Sequence, residues 1–181
     1  MTGHHKDAQA RRVVVGYDDD GKSAVLQDGL STTRLVGPGN TKCDIWRLGT
    51  VPVPSLSELD DGLDGRVITA PPTDGLVVRV VTFPADSEWD RSQGYSDANG
   101  SLEGSVSVAD AGGIPGMHST NTLDILVVIS GELHVVLETG ETLLRQGDTL
   151  VMTSGAKHAW SNKTDSTATV VTVAVSAAPT M

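Results

Sequence analysis

The sequence predicts an all-β protein that folds as one small barrel. The chain contains 20 glycines and 8 prolines together with many valines and threonines, a composition that favours short strands joined by tight turns. Apolar and polar residues alternate with a period of two in several segments, as they do in half-buried strands. No apolar periodicity is long enough to indicate a substantial helix. These three observations define the expected fold class.

Length and charge limit the kinds of partner. The 181 residues fit one domain. The net charge of −10 would repel nucleic acid and anionic membrane surfaces, because no basic patch is available to release counterions. The single cysteine, Cys43, allows no disulfide within the chain. The longest apolar runs are far shorter than the roughly 20 residues that span a bilayer. We therefore expect a cytoplasmic protein with neither nucleic-acid nor membrane partners.

The N-terminal part is expected to begin with a disordered leader and a hairpin. Residues 1–12 are polar, and within this leader His4 and His5 are assigned no role. Residues 13–29 contain two apolar runs on either side of an Asp-Asp-Asp-Gly sequence, which is typical of a β-hairpin turn. Residues 13–74 as a whole are expected to hold N-terminal strands, including an alternating strand at 42–49, and a proline-rich loop.

The barrel is expected to occupy residues 75–181. A valine-rich strand at 75–84 is ended by Pro84. The polar, glycine-rich segment 85–116 is an unusually long connection, which indicates either a lid or partial disorder. Within it, Trp89 would anchor the loop or cover the site. Short strands separated by glycine turns then follow at nearly even spacing, at 118–130, 133–138, 141–146, 149–154, 157–162 and 167–176.

Strand alternation places polar side chains on the inner wall of this barrel. Successive side chains of a strand point to opposite faces. One inward face would therefore carry three polar residues, His118, Thr120 and Asp124, next to the apolar residues Leu126 and Val128. A later strand would present His158, Trp160 and Asn162 together. The two histidines could instead be ordinary half-exposed residues, and Trp160 could simply fill the core.

Glycine spacing around the two histidines adds weight to these positions. Five residues separate Gly112 from His118, and the segment continues through Thr120 and Asp124 to Gly131. A second segment has the same kind of spacing and runs through Gly147, Thr153, Gly155, His158 and Asn162. The two segments, in this order, resemble the two motifs of the cupin superfamily over residues 112–162. The resemblance implies a single cupin jelly-roll barrel with an N-terminal strand arm.

The resemblance also implies a metal site with a reduced set of ligands. Carried over by position, it implies that His118, Asp124 and His158 bind one divalent transition metal, of which Zn, Fe, Mn and Ni all suit imidazole and carboxylate ligands. Thr120 stands where the family usually has a second histidine, Asp124 where it has a glutamate, and Thr153 where it has a proline. Without a metal, the two histidines and the carboxylate could still divide general acid and base roles.

Three functions are compatible with such a site. The preferred one is a metal-dependent enzyme that moves protons on a carbonyl or hydroxyl substrate, in lyase, dehydratase or isomerase chemistry. His118, Asp124 and His158 would be catalytic, and the substrate would touch a set of wall residues, Thr120, Leu126, Val128 and Trp160. The alternatives are a non-haem metal dioxygenase and a non-catalytic binding or sensor module.

The expected partners are a small molecule and a second copy of the chain. The apolar wall suggests a mainly apolar ligand body with one or two oxygens. Strand 43–49 has no obvious place in a minimal barrel, and cupins often lay such an arm on the sheet of a second subunit, so a homodimer is predicted.

Overall fold

The computed structural model describes residues 4–53, 61–93 and 114–178, and within these ranges the regular structure is almost entirely β. The strands are β1 (Arg11–Tyr17), β2 (Ser23–Leu30), β3 (Arg34–Val36), β4 (Thr41–Leu48), β5 (Leu76–Phe83), β6 (Thr122–Ser130), β7 (Glu132–Leu137), β8 (Gly140–Arg145), β9 (Thr149–Met152), β10 (His158–Ser161) and β11 (Ala168–Ser176). The helical residues described are short 3-10 turns, and none is a helix of a length and hydropathy that could cross a membrane. The predicted all-β class is confirmed.

The predicted N-terminal hairpin is present as β1 and β2, which form a two-stranded sheet of their own. Asp18 organises its turn, since its carboxylate accepts hydrogen bonds from the backbone amides of Asp20 and Lys22. Gly21 adopts φ +75° there, a conformation that costs glycine little.

A six-stranded sheet forms one wall of the barrel, in the order β3-β4-β5-β11-β6-β9. The long valine-rich strands β5, β6 and β11 pair antiparallel at its centre. The expectation that strand 42–49 lies outside the barrel is wrong. This segment forms β4 and pairs antiparallel with β5, so it belongs to the sheet of its own chain and not to a separate N-terminal region.

A three-stranded sheet, β10-β7-β8, forms the opposite wall. The hydrophobic core lies between the two sheets and draws buried side chains from both, including Val81, Phe83, Leu126, Val128, Leu133, Val135, Leu144 and Val170. Two packed antiparallel sheets of this kind are consistent with the jelly-roll fold. A cavity lies between the two sheets, and residues of β6 and β10 contribute to its lining.

The N-terminal segment is held in place through buried His5 and Ala10, which corrects the expected disordered leader for the described residues 4–12. His5 lies in a 3-10 turn at His5–Asp7 and is only 2% exposed. Its Nε2 is 3.0 Å from the carbonyl oxygen of Gly37. Arg34 Nε donates to the carbonyl of Ala8 at 2.8 Å. The prediction of disorder rests on polar composition, which carries no information about contacts with residues distant in sequence.

The beginning of the long connection is anchored on the barrel. Residues 85–93 contain two 3-10 turns, and the Trp89 indole packs against the core. A Cβ on Gly39 would stand 2.6 Å from this ring, so only glycine leaves room for it. The anchoring role expected of Trp89 is therefore confirmed. Residues 94–113, which hold most of the predicted lid, and 54–60 of the proline-rich loop lie outside the described residues.

Candidate functional site

A cavity of about 110 Å³ opens between the two sheets. Its walls come from β4, β5, β6, β9, β10 and β11 and from the segment before β6. The lining residues are Asn40, Lys42, Thr69, Arg79, Val81, Phe83, His118, Thr120, Thr122, Asp124, Leu126, Met152, His158, Trp160, Thr172 and Ala174. The structure thus brings together six of the seven predicted site residues.

Val128 is the predicted site residue that does not line the cavity. Its side chain is 1% exposed and belongs to the hydrophobic core. It shares the face of Leu126 on β6, as alternation predicts, but it packs in the core and is not among the lining residues. Strand alternation fixes the side to which a residue points and not the depth of the space it meets.

The two histidines face each other across a pair of backbone hydrogen bonds. The amide of His118 donates to the carbonyl of His158, and the amide of His158 donates to the carbonyl of His118, both at 2.9 Å. In this antiparallel bridge, His158 belongs to β10, whereas His118 precedes β6 and belongs to no named strand. It places the ring centroids 4.3 Å apart, so backbone geometry and not only side-chain packing sets their separation.

Each imidazole is oriented by a backbone carbonyl. His118 Nδ1 lies 2.9 Å from the oxygen of Gly116, and His158 Nδ1 lies 3.0 Å from the oxygen of Ala156. A carbonyl oxygen can only accept, so both Nδ1 atoms carry the proton, and both Nε2 atoms keep a free lone pair in the neutral ring. This is the arrangement that metal-ligating histidines commonly show.

Burial keeps both rings neutral near pH 7. It lowers the pKa of His118 to about 4, with a smaller contribution from the charge of His158. Burial also lowers the pKa of His158, against the opposing effects of the Ala156 carbonyl and the Asp124 carboxylate. Two unprotonated Nε2 atoms are therefore available in the cavity as ligands or as bases.

Asp124 is held by two threonines. Thr122 Oγ1 donates to Asp124 Oδ2 at 3.0 Å, Thr120 Oγ1 lies 3.4 Å from the same oxygen, and the two hydroxyl oxygens are 2.6 Å apart. Burial raises the pKa of the Asp124 carboxyl, more than the Thr122 hydroxyl and the His158 charge lower it. Thr120 thus positions the carboxylate and does not simply leave a gap in a ligand set.

The predicted three-ligand metal set is not fully assembled. His118 and His158 fit a divalent metal because their free Nε2 atoms face the same cavity. Together with an Asp124 oxygen, however, these atoms do not all lie within 4.8 Å of one another among the described residues. The two histidines therefore fit as ligands, and the carboxylate, engaged by the threonines, is placed for an outer role.

A second group of possible ligands lies near the N-terminus. One ligand atom from each of His4, His5 and Glu88 falls within 4.8 Å of the others. His5 Nδ1 is buried and has no hydrogen-bond partner. Sequence reasoning assigns neither histidine a role, and it misses Glu88 because its neighbours in this group are more than 80 positions away. This N-terminal group must be distinguished from the cavity histidines in any metal experiment.

An apolar wall lies next to His158 in the cavity. Trp160 is 8% exposed, and its ring lies 5.5 Å from His158 edge-on and 5.9 Å from Phe83. It belongs to the core cluster as well as to the cavity lining. Leu126 and Met152 complete this side.

A basic region on β4 and β5 also lines the cavity and is absent from the site predicted from the sequence. Lys42 and Arg79 line the cavity beside Asn40. Burial lowers the pKa of Lys42 to about 8. Two signals in the sequence point to this region: the alternation of β4 puts Lys42 and Asp44 on one face, and Arg79 interrupts an otherwise valine-rich strand. Only strand pairing shows that they meet the histidine cavity.

Comparison with known proteins identifies the class. The model of the cupin domain matches residues 105–174, a range that contains His118, Asp124 and His158. Over these residues the chain matches the cupin domain family, as the two glycine-spaced motifs indicated. No curated protein matches the chain.

Several solved structures are similar to this chain at low identity. A putative ethanolamine utilization protein Q from Salmonella typhimurium is 14% identical, with a TM-score of 0.45 over 94% of this chain and 99% of the other. A cupin 2 conserved barrel domain protein from Salinispora arenicola is 14% identical, with a TM-score of 0.44 over 79% and 82%. An RmlC-like cupin from Shewanella frigidimarina is 13% identical, with a TM-score of 0.43 over 78% and 80%. None of these similarities indicates an activity for this chain.

Proposed function

We propose that this cupin is a small-molecule enzyme that moves a proton on a substrate with a carbonyl or hydroxyl oxygen, in lyase, dehydratase or isomerase chemistry. His118 and His158 would hold a divalent transition metal, Zn, Fe, Mn or Ni, through Nε2. When bound, such an ion polarises a substrate oxygen. The observation that carries the proposal is the pair of neutral imidazoles whose Nδ1–H groups are fixed by backbone carbonyls.

Asp124 is assigned as the base that moves the proton. Its carboxylate is buried beside the histidines, and burial raises its pKa, which brings its basicity closer to neutral pH. Thr120 and Thr122 hold one carboxylate oxygen through their hydroxyls and leave the other free to take the proton. The apolar wall of Phe83, Leu126 and Trp160 excludes water from this side of the cavity.

Metal content tests the ligand assignment. Protein purified without chelator or nickel resin should carry about one equivalent of a transition metal by plasma mass spectrometry. His158→Ala should reduce this to below about a tenth of an equivalent, because a single imidazole remains. His134→Ala is the matched control, since His134 lies on β7 outside the cavity lining, and it should leave the content unchanged.

Two outcomes would contradict this assignment. One is a wild-type protein with less than about a tenth of an equivalent that regains none when soaked with metal. The other is a metal that His5→Ala removes and His158→Ala does not, which would place the ion at the N-terminal group.

A non-catalytic binding module is the second candidate, and one observation favours it. The Asp124 carboxylate is engaged by threonines and does not converge with the two imidazoles. Under the enzyme proposal, Asp124→Asn removes turnover and leaves ligand affinity largely intact. A ligand that binds tightly without any conversion by the wild-type protein would support the binding module instead.

The homodimer and the cytoplasmic location stay predictions. The strand at 42–49 is not a free arm, because it pairs with β5 of its own chain. In the structure the N-terminal arm is the β1–β2 hairpin, which presents exposed apolar residues, among them Val13, Val15, Tyr17 and Val25. We propose that this arm meets a second copy of the chain.

A further inference from the structure

The part of the cavity wall formed by β4 carries the positive charge of Lys42, and the acidic group that acts on it is the buried Asp44. Lys42 stands on β4 opposite Val81 of β5, and both residues line the cavity. Among the described residues, no hydrogen bond or ion pair engages the Lys42 amino group. A lysine placed in such a wall without a partner loses hydration and gains nothing in return. Its position therefore suggests that a ligand supplies the missing charge.

Asp44 compensates little of the Lys42 charge, because two arginines share its carboxylate. Asp44 is fully buried, and its Oδ1 lies 3.0 Å from Arg79 Nε. Arg47 Nη2 lies 3.5 Å from Asp44 Oδ2. Both guanidinium groups also donate to backbone carbonyls, Arg79 to Ile68 and Arg47 to Arg66. The single charge of Asp44 is thus already engaged twice.

The rest of the cavity offers little negative charge. The two histidines supply no negative charge, because an imidazole is either neutral or positive. Asp124 lines the same cavity, but Thr122 and Thr120 engage one of its oxygens and its charge acts on Arg79. The charge of Lys42 even contributes to the low pKa of His118, because both groups act across the same enclosed space.

We propose that the cavity binds a small carboxylate, with the Lys42 ammonium and the Asn40 side-chain amide receiving the carboxylate group and the apolar wall receiving the rest of the molecule. This names the substrate class of the proposed function and rests on it. Asn40 is 8% exposed and lines the cavity beside Lys42. A carboxylate suits this end better than a phosphate, because the walls are strands and supply no helix N-terminus that would bind a phosphate. The volume of about 110 Å³ admits a molecule of only a few carbon atoms.

A pair of isosteric probes tests the charge requirement directly. 2-Methylpropanoate and 2-methylpropanamide have the same shape, and only the first carries a negative charge. The full-length chain is titrated with each in the presence of EDTA, so that no metal ion can receive the carboxylate, and the indole N–H signal of Trp160 is followed by NMR. We expect the carboxylate to bind at least about tenfold more tightly than the amide.

Variants of Lys42 assign this preference to its charge. Lys42→Met should abolish the preference for the carboxylate, and Lys42→Arg should retain most of it. Lys163→Met is the matched control, because Lys163 is exposed and pairs with Glu141 away from the cavity lining. This control should behave as the wild type.

The proposal is overturned by equal binding of acid and amide, by no saturable binding of either up to about 0.1 M, or by a preference that survives in Lys42→Met. The comparison of the two probes on the wild-type protein needs no variant, so a variant that does not fold leaves the test intact. The double variant His118→Ala/His158→Ala separates the two proposals. It should keep the carboxylate preference even if the assigned metal chemistry fails.

Discussion

Lys42 destabilises the folded chain, because its charged amino group is buried in the wall of the cavity. The structure places its amino group in a wall where burial lowers its pKa to about 8, well below the value of an exposed lysine. Below pH 8 the ammonium is charged in both the folded and the unfolded chain, and the folded chain bears the full penalty of burying it. Sites that bind ligands commonly accept such costs.

Lys42→Met should therefore raise the free energy of unfolding at pH 7, by about 1–3 kcal/mol. Between pH 8 and about 10.5 the unfolded chain binds more protons at this residue than the folded chain does, so the stability of the wild type rises with pH in this window. The gain from Lys42→Met should shrink over the same window. Urea unfolding of both proteins at pH 7 and pH 10 measures it, and an equal gain at both values would show that the buried charge is not its cause.

At the same scale, the sequence predicts the histidines more reliably than their surroundings. His118, Asp124 and His158 can be found because strand alternation and glycine spacing are local. Lys42 and Arg79 cannot, because their place in the cavity depends on the pairing of β4 with β5 and of β5 with β11. Val128 is wrongly assigned to the wall because alternation does not reveal where the core closes.

Strands β4 and β5 are joined by charges as well as by backbone hydrogen bonds. Asp44 stands opposite Arg79 in the register of the two strands, and both side chains are buried. The hairpin offers a contrasting case, because Arg11 and Asp28 join β1 and β2 at 2.7 Å while remaining exposed. The two ion pairs differ mainly in their access to water.

Removing the buried carboxylate should cost far more than removing the exposed one. Asp44→Ala leaves Arg79 and Arg47 without their shared counter-ion in the interior, and we expect a loss of about 3–5 kcal/mol in the free energy of unfolding. Asp28→Ala on the hairpin should cost less than about 1 kcal/mol. Denaturant unfolding compares the two variants, and similar losses would show that Asp44 does not hold the two strands together through its charge.

The elements themselves are largely predictable, and their assembly is only partly so. Asp-Asp-Asp-Gly marks the hairpin, and glycine turns mark the strands after His118. The place of β4 is not evident, since a single strand carries no information about its neighbour. The ordered N-terminus is missed because the contact between His5 and Gly37 joins residues that local composition treats separately.

At the scale of the whole molecule, the β1–β2 hairpin is separate from the two sheets of the barrel in its strand pairing. It forms a separate two-stranded sheet, and Val15 and Val25, which pair across it, are 64% and 60% exposed. Neighbouring apolar side chains left in water favour an interface. The predicted homodimer would cover them.

Light scattering at micromolar concentration should accordingly show the mass of a dimer. Val15→Glu/Val25→Glu should shift it to the monomer, because two charges would be buried at the interface. Val151→Glu is the matched control, since Val151 is similarly exposed, at 58%, on β9. A wild-type monomer, or a dimer that survives the double substitution, would contradict the role of the hairpin.

The proposed function depends above all on the cavity histidines forming a metal-binding centre. Anomalous diffraction from crystals of the protein loaded with Zn²⁺ and collected at the zinc edge tests this most directly. We expect a peak about 2.1 Å from Nε2 of both His118 and His158. A peak confined to His4, His5 and Glu88, or no peak at the cavity histidines in the loaded crystals, would contradict it.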